Sequence, residues 1–278
     1  VEFAYLGTSG FAAGLLRRIC DAGSAPGLVV TRPDRPAGRG RRLTAPPVAD
    51  AAVEMGIDVF QPEDVNDAAS VERIAAGSPD LLVVCAYGAL VGEALLERYE
   101  ILNVHPSLLP RWRGAAPIER AIMAGDGETG VSIMQLTAGL DSGPVCLSAR
   151  EPIHPRDTWG SLSERLEELG ARLLLEAMES RPPFVEQDEE LVTWAEKIAA
   201  GDRTIDPSAP AAEQERLVRA LSPHVGARLA LPDGSFLGVL EAHLEEGRLV
   251  PDRVLPPGGR AMGWDEYLRG HEDPLAGS

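Results

Sequence analysis

The sequence predicts an α/β chain: a doubly wound domain on a mostly parallel sheet, followed by a smaller β-rich, barrel-like domain. Three observations carry this expectation. Strand-like and helix-like segments alternate through the first half, as right-handed β-α-β crossovers require. Asp80–Ala86, DLLVVCA, is a continuous apolar run, so both of its faces must be buried, as at the centre of a parallel sheet. Beyond Arg181-Pro182-Pro183 the pattern changes to short β-type runs separated by turn residues, which reads as a small antiparallel unit.

Each element has a local reason. Phe3–Gly7 is a first apolar strand, followed by a helix over Phe11–Ala22 that stops at Gly23. Gly27–Thr31 is the second strand. Pro33-Asp34-Arg35-Pro36-Ala37-Gly38-Arg39-Gly40 is too rich in Pro and Gly for regular structure and predicts an exposed loop. Pro47–Met55 is a helix opened by Pro and closed by Gly56. Ile57–Phe60 is a brief strand, Ala68–Ala75 a helix, Ala89–Arg98 a further helix, and Ile101–Val104 a strand running into His105-Pro106. Gly130–Leu136 and Pro144–Arg150 read as later strands. Leu162, Leu166, Leu169 and Leu173 recur at helical spacing within Asp157–Ser180, predicting one long amphipathic helix. After the break come Leu191–Ala200, a helix at Glu213–Leu221, and β-type runs Arg228–Leu231, Phe236–His243 and Arg248–Val254. The polar tail after Leu268 is expected to fray. The boundaries drawn from this are 1–182 for the first domain, 183–203 for a linker, 204–270 for the second domain and 271–278 for the tail.

Composition bounds the class. The chain has 278 residues, 44% hydrophobic and 25% charged, which is ordinary for a globular protein. No run approaches the ~18 apolar residues of a membrane helix, and the N-terminus has no basic segment of the kind that opens a signal peptide. Cys20, Cys85 and Cys146 are far apart with no CxxC, which fits free thiols in a reducing, cytoplasmic setting. The net charge of −17 argues against general polyanion binding, yet Thr31–Arg42 holds Arg32, Arg35, Arg39, Arg41 and Arg42 against Asp34 alone. A basic segment on an acidic body fits either a confined anion contact or an ordinary solvated loop.

The chemistry-bearing residues are few. Asn103 and His105 are i and i+2 on a strand, so an amide and an imidazole share one face at its carboxyl end, where open α/β sheets bind ligands. A strand-end Asn and His also serve structural roles. Asp141, in AGLDSGP, fits an Asx turn, or, if the fold brings it to His105, a carboxylate that orients the ring and favours its charged form. Asn103 and His105 could then stabilise an oxyanion. No Ser or Cys sits beside the histidine in an elbow, so direct attack by a substrate group fits better than an acyl-enzyme. The glycine turn at Gly7-Thr8-Ser9-Gly10 lacks GxGxxG spacing, Walker A and HExxH patterns are absent from the sequence, and its five histidines are scattered. These residues read together as an acyl-transfer-like site on an α/β domain.

Asn103–Pro117, NVHPSLLPRWRGAAP, resembles the folate-dependent formyltransferases, and Arg32–Val48, RPDRPAGRGRRLTAPPV, narrows the resemblance to the branch that acts on methionyl initiator tRNA. Similar stretches run along nearly the whole chain: GTSGFA from Gly7, VFQPEDV from Val59, CAYGALV from Cys85, AGDGETGVSIMQLTAGLDSGP from Ala124, LVTWAEKI from Leu191, RALSPHVGAR from Arg219 and PPGGRAMGWDEYLRG from Pro256. The resemblance implies a Rossmann-like formyltransferase domain and an OB-like C-terminal barrel that contacts tRNA. It implies 10-formyltetrahydrofolate as donor co-substrate, the amine of methionyl initiator tRNA as acceptor, and no metal. Asn103, His105 and Asp141 match the catalytic positions. Ser107, Leu108, Leu109 and Pro110, with Tyr87, Gly88, Ala89, Leu90 and Val91, match the folate-binding positions. Arg32, Arg35, Arg39, Arg41 and Arg42 match the arm that reaches the tRNA.

The resemblance further implies a cytoplasmic monomer of translation initiation, with neither DNA nor membrane as partner. Three departures stand out. The family often has a proline near Gly92, Pro207 stands where a tryptophan is common, and the β-rich domain is shortened between His243 and Val254. From Asp206 onward the chain carries twelve acidic residues against seven arginines, which predicts a smaller tRNA footprint there. The alternatives are a formyltransferase for a small amine such as an amino-sugar nucleotide, and a non-catalytic tRNA-binding protein. The arginine segment argues against the first, and the three convergent polar residues against the second.

Overall fold

A computed structural model describes residues 1–37 and 42–276. The elements in chain order are β1 (Phe3–Gly7), α1 (Gly10–Asp21), β2 (Leu28–Val30), β3 (Arg35–Ala37), β4 (Arg42–Thr44), α2 (Pro47–Glu54), β5 (Val59–Phe60), α3 (Ala68–Ala75), β6 (Leu81–Cys85), α4 (Glu93–Leu96), β7 (Glu100–His105) and β8 (Arg113–Gly114). They continue with α5 (Pro117–Ala124), β9 (Glu128–Gln135), β10 (Val145–Pro152), α6 (Trp159–Ser180), β11 (Trp194–Ala195), α7 (Ala211–Leu221), β12 (Ala227–Ala230), β13 (Phe236–Glu245), β14 (Arg248–Leu255), β15 (Met262–Gly263) and α8 (Trp264–Leu268). They divide between two compact units, and the second is not one stretch of chain. The first takes Val1–Ala115, Gly130–Glu151 and Glu164–Trp194; the second takes Ala116–Thr129, Pro152–Ser163 and Ala195–Ser278.

The first unit is built on a seven-stranded sheet ordered β10-β9-β7-β6-β1-β2-β5. The pairs β1–β2, β1–β6, β2–β5 and β6–β7 are parallel, and β9 runs antiparallel to β7. The fold class is therefore mixed α/β on a mostly parallel sheet. Every residue of β1 and β6 is buried, as the continuous apolar runs require of strands covered on both faces. Ala4, Leu6, Val30, Leu82 and Val84 form one core with Ile74 of α3. Tyr5, pointing the other way on the pleat, donates its hydroxyl to the Ala12 carbonyl of α1 at 2.7 Å. Helix α1 starts where Ser9 accepts the Ala12 N–H at 3.2 Å, and it buries Phe11, Leu15, Leu16 and Ile19, the stripe expected of a surface helix.

The second unit carries the antiparallel sheet β12-β13-β14-β15. Its core joins Val218 and Leu221 of α7 to Leu229, Val239, Val254 and Tyr267. The β13–β14 hairpin turns through Glu246 and Gly247, with φ of 49° and 79°. Two left-handed residues give the tight turn whose twist suits a hairpin.

Four expectations need correction. The 33–40 segment is not wholly irregular: β3 and β4 pair antiparallel, with Pro36 opposite Leu43. A two-stranded ribbon is all edge, so a proline costs it no interior ladder bond. Gly38, Arg39, Gly40 and Arg41 lie outside the described residues. The helix expected over Ala89–Arg98 shrinks to Glu93–Leu96, because Asn66 captures the backbone on both sides of Val91, donating to the Leu90 carbonyl and accepting from the Gly92 N–H. Helices α5 and α8 were not anticipated; both are short, and short elements carry weak periodicity. The described tail docks rather than frays: His271 stacks on Tyr267 at 4.3 Å, and Leu275 packs against the second core. All three cysteines are free, and burial pushes the Cys85 thiol up to about 12. Among the described residues no helix is long and apolar enough to cross a membrane.

Glu167 of α6 is a buried acid between helices. A Cβ on Gly14 of α1 would lie 2.1 Å from Glu167 Oε2, so the glycine leaves the room the carboxyl fills. Arg18 Nη1 reaches Oε2 at 2.6 Å, yet burial pushes the Glu167 carboxyl up to about 7, with Arg18 pulling down and Glu164 adding to the rise. A folded pKa above the unfolded one means the native state holds the extra proton. That stability is complete below the ordinary carboxylate range and is lost as pH rises through about 7. Glu167→Gln should therefore gain melting temperature relative to the wild type between about pH 5 and about pH 8. A constant difference across that window in paired thermal melts would contradict the raised pKa.

Candidate functional site

Strand β7 ends at the carboxyl edge of the parallel sheet with Asn103 and His105 on one face, only 6% and 5% exposed. Its neighbour β9 supplies the register, pairing Asn103 with Met134 and His105 with Ser132. Ser132 then fixes the loop beyond β7: its Oγ donates to the Ser107 carbonyl at 2.8 Å and accepts from the Leu109 N–H at 3.1 Å. Ser107 Oγ donates to the Arg111 carbonyl at 2.6 Å, closing the turn that returns Trp112 to the histidine.

His105 Nε2 lies 2.8 Å from the Trp112 carbonyl oxygen. A carbonyl can only accept, so Nε2 carries the proton and donates it. The other ring nitrogen, Nδ1, faces Asp141 Oδ2 at 3.7 Å. Asp141 is itself buried and sits in the turn after β9 with φ of 46°, a left-handed conformation that Asp tolerates better than most residues. Its carboxylate accepts the Gly114 N–H at 2.9 Å on Oδ2 and the Asn103 amide at 3.4 Å on Oδ1. The second contact is long for a hydrogen bond, so the amide donor is only weakly engaged. Asn103, His105 and Asp141 thus meet, although 36 residues of chain separate the histidine from the acid.

The turn that carries Asp141 leaves no slack. A Cβ on Gly143 would lie 1.9 Å from the Gln135 carbonyl oxygen and 3.0 Å from Thr137 Cγ2, so only glycine passes β9 there.

The other expected site residues group at the same edge of the sheet. Ser107, Leu108, Leu109 and Pro110 form the loop directly after β7. Tyr87, Gly88, Ala89, Leu90 and Val91 form the loop after β6, the parallel neighbour of β7. Tyr87 is buried with its hydroxyl lacking a hydrogen-bond partner among the described residues, while Leu90 is 79% exposed. Burial pushes the Tyr87 phenol up, against the pull of the Arg32 guanidinium. Arg32 follows β2, and Gln61, following β5, holds its carbonyl at 3.0 Å. Arg35 and Arg42 stand on β3 and β4, both exposed. Arg39 and Arg41 lie outside the described residues. Among the described residues no group of three His, Cys, Asp or Glu could hold a metal ion.

Sequence reasoning missed a second ring of residues around the three. Arg113 is 2% exposed, Thr193 accepts the Trp112 N–H on Oγ1 at 2.9 Å, and Gln187 lies against the Asp141 turn. A charged residue at a fully buried position is a signal only once burial is known.

The model of the formyl transferase family, described as "Formyl transferase", matches residues 3–178, which is most of the first unit. The chain belongs to the formyl transferase family. The methionyl-tRNA formyltransferase of Nitrosococcus oceani (strain ATCC 19707) is 47% identical over 301 aligned residues, covering 96% of this chain and 92% of that protein. The solved methionyl-tRNA formyltransferase from Clostridium thermocellum superposes with a TM-score of 0.68 at 14% identity, covering 95% of this chain and 99% of that one. HypX from Aquifex aeolicus in complex with tetrahydrofolic acid matches at a TM-score of 0.67 and 17% identity, over 96% of this chain and 46% of that one. These last two speak for the fold alone.

If formyl transfer requires Asp141 beside His105, Gly143→Ala should be costly. A displacement of about 1 Å in a reacting geometry can cost about 100-fold in rate, so the variant should lose about 10- to 100-fold in kcat. Steady-state formylation by the folded variant tests this, and a kcat matching the wild type would show that the turn's position is not critical.

Proposed function

We propose that the chain transfers the formyl group of 10-formyltetrahydrofolate to the free amine of methionyl initiator tRNA. The observation that carries this reading is the meeting of Asn103, His105 and Asp141 at the end of β7, in a chain 47% identical to a relative bearing that activity in its name.

In this reading the amine nitrogen attacks the formyl carbon directly. The Asn103 amide, weakly held at 3.4 Å by Asp141, is free to turn its N–H toward the carbonyl oxygen as that oxygen gains charge. His105 presents Nδ1, since Nε2 is committed to Trp112. With a proton on Nδ1 the ring is a cation that stabilises both the oxyanion and the Asp141 carboxylate. Each such donor is worth about 3 kcal/mol in a preorganised, water-poor site. When the tetrahedral centre collapses, its bond to the folate nitrogen breaks. That nitrogen takes up a proton and the attacking amine gives one up.

The donor fits the residues that surround this centre. The loops 87–91 and 107–110 leave neighbouring parallel strands and would flank the folate, and the buried Tyr87 hydroxyl has hydrogen-bonding capacity that a polar heterocycle could satisfy. The arginines at 32, 35, 39, 41 and 42 would contact phosphates of the acceptor arm, adding affinity that falls with salt and carries little sequence choice. The antiparallel second unit would serve as the barrel-like tRNA-contacting domain, with 183–203 as the linker that leads to it. The hairpin turn at Glu246 and Gly247 is the shortened stretch.

Formylation of charged tRNA with labelled 10-formyltetrahydrofolate tests the reading. His105→Ala should abolish transfer while tRNA affinity stays within about 3-fold, as expected when an interaction made in the transition state is removed. Near-normal turnover by that variant would overturn the mechanism. Arg35→Ala combined with Arg42→Ala should raise the tRNA KM and lower its log–log salt slope by about one for each phosphate no longer neutralised. An unchanged slope in KM measurements at graded salt would remove the arm from the tRNA footprint.

A further inference from the structure

The Asp141 turn is held from outside by one side chain. Gln187, from the chain between α6 and β11, donates through Nε2 to the Asp141 carbonyl at 2.8 Å and to the Gly143 carbonyl at 2.7 Å. Its Oε1 accepts from Arg113 Nε at 3.0 Å. Both ends of the amide are thereby assigned, because a flipped amide would set its oxygen against two carbonyl oxygens. Arg113 is in turn gripped by both oxygens of Glu189, at 3.2 and 2.7 Å, and this contact holds the Glu189 carboxyl below its ordinary range. The residue after Arg113 is Gly114, whose N–H binds Asp141 Oδ2. The contacts form a closed circuit: Asp141 backbone, Gln187, Arg113, Gly114, Asp141 carboxylate.

We propose that Gln187 is a positioning residue for formyl transfer, acting through Asp141 by fixing the turn that sets the carboxylate opposite His105 Nδ1. The proposal rests on the formyl-transfer reading of the site. The circuit has a specific consequence. A left-handed aspartate backbone is intrinsically unfavourable, so without the two carbonyl contacts the 141–143 turn relaxes and the 3.7 Å approach to the ring is no longer enforced. Gln187 lies outside the circle of groups that face His105, so it tunes the rate and leaves substrate affinity alone.

Three measurements test this. Gln187→Leu keeps the bulk and removes the hydrogen bonds; its kcat should fall about 10- to 100-fold, with both KM values within about 2-fold of the wild type. Gln187→Glu keeps the acceptor for Arg113 but, when ionised, opposes the two carbonyls. Beside the Arg113 guanidinium the introduced carboxylate stays ionised at working pH, so the variant's kcat should fall at least as far as that of Gln187→Leu. In an Asp141→Asn background, Gln187→Leu should cost nothing further, since residues acting as a unit are not additive. A wild-type kcat in Gln187→Leu or in Gln187→Glu, or a full additional loss in the Asp141→Asn background, would each overturn the proposal. The 15N resonances of the His105 ring give a readout independent of turnover: they should shift in Gln187→Leu as Asp141 moves away. If the wild type does not formylate tRNA but those resonances shift, the acceptor assignment fails and the positioning role stands; unshifted resonances sink the positioning role whatever the substrate.

Discussion

The geometry of the candidate site turns on how one buried carboxylate, Asp141, is held. A carboxylate taken out of water is costly unless hydrogen bonds and charge replace the solvent. Asp141 obtains these from the end of β7, through the Asn103 amide and the His105 ring, and from the loop that follows, through the Gly114 N–H. Removing any one of these contacts leaves the acid under-solvated. The same requirement that binds β7, the 112–114 loop and the post-β9 turn together therefore also brings Asn103, His105 and Asp141 together. Two of the three contacts are long, at 3.4 and 3.7 Å. That looseness leaves hydrogen-bonding capacity on Asn103 and His105 that a closed, fully satisfied network would lack.

The sheet supplies the frame for this. Parallel strands β6 and β7 pair from Leu81–Glu100 to Val84–Asn103 with Val84 and Val104 buried, which makes them a rigid base. The loops at their carboxyl ends inherit that rigidity. Charge is segregated just as sharply. The chain is acidic overall at −17, and the stretch 32–42 carries five arginines against one acid. In the proposed reaction an acidic body would disfavour a polyanion away from that stretch and so help to orient an incoming tRNA. The acidic excess from Asp206 onward would limit the share of the proposed tRNA contact that the second unit makes.

The sequence exposed the frame better than the contacts. The strands at Phe3, Leu81 and Glu100 and the long helix ending at Ser180 fell within a residue or two of expectation, because continuous or periodic apolar patterns are set by burial itself. Asn103 and His105 could be placed on one face from their spacing alone. What spacing could not provide was Asp141, whose partner is set by the β7–β9 register, nor Gln187, whose three hydrogen bonds all cross more than 40 residues of chain. Local competition was equally invisible. Asn66 takes the backbone groups that a helix over 89–92 would have used, and no pattern within that stretch announces it. Pro36 in a strand misled for a related reason: proline forbids an interior ladder, but a two-stranded ribbon has none.

The bond from His105 Nε2 to the Trp112 carbonyl constrains the chemistry further than the presence of three polar residues would. With Nε2 permanently a donor, every proton exchange at the ring must pass through Nδ1, the nitrogen that faces Asp141. A neutral ring then has a lone pair on Nδ1, which repels the carboxylate and, in the proposed transfer, would receive a proton from the attacking amine. A charged ring has an N–H there, which attracts the carboxylate and, in the same proposal, would donate to the oxyanion. The two states thus differ in the sign of the His105–Asp141 interaction across 3.7 Å. Proton arrival at Nδ1 should draw the acid inward, and proton departure should let it relax. Trp112, held with φ of 64° and tied through its N–H to Thr193, makes this one-sided arrangement possible by fixing the carbonyl that occupies the other nitrogen.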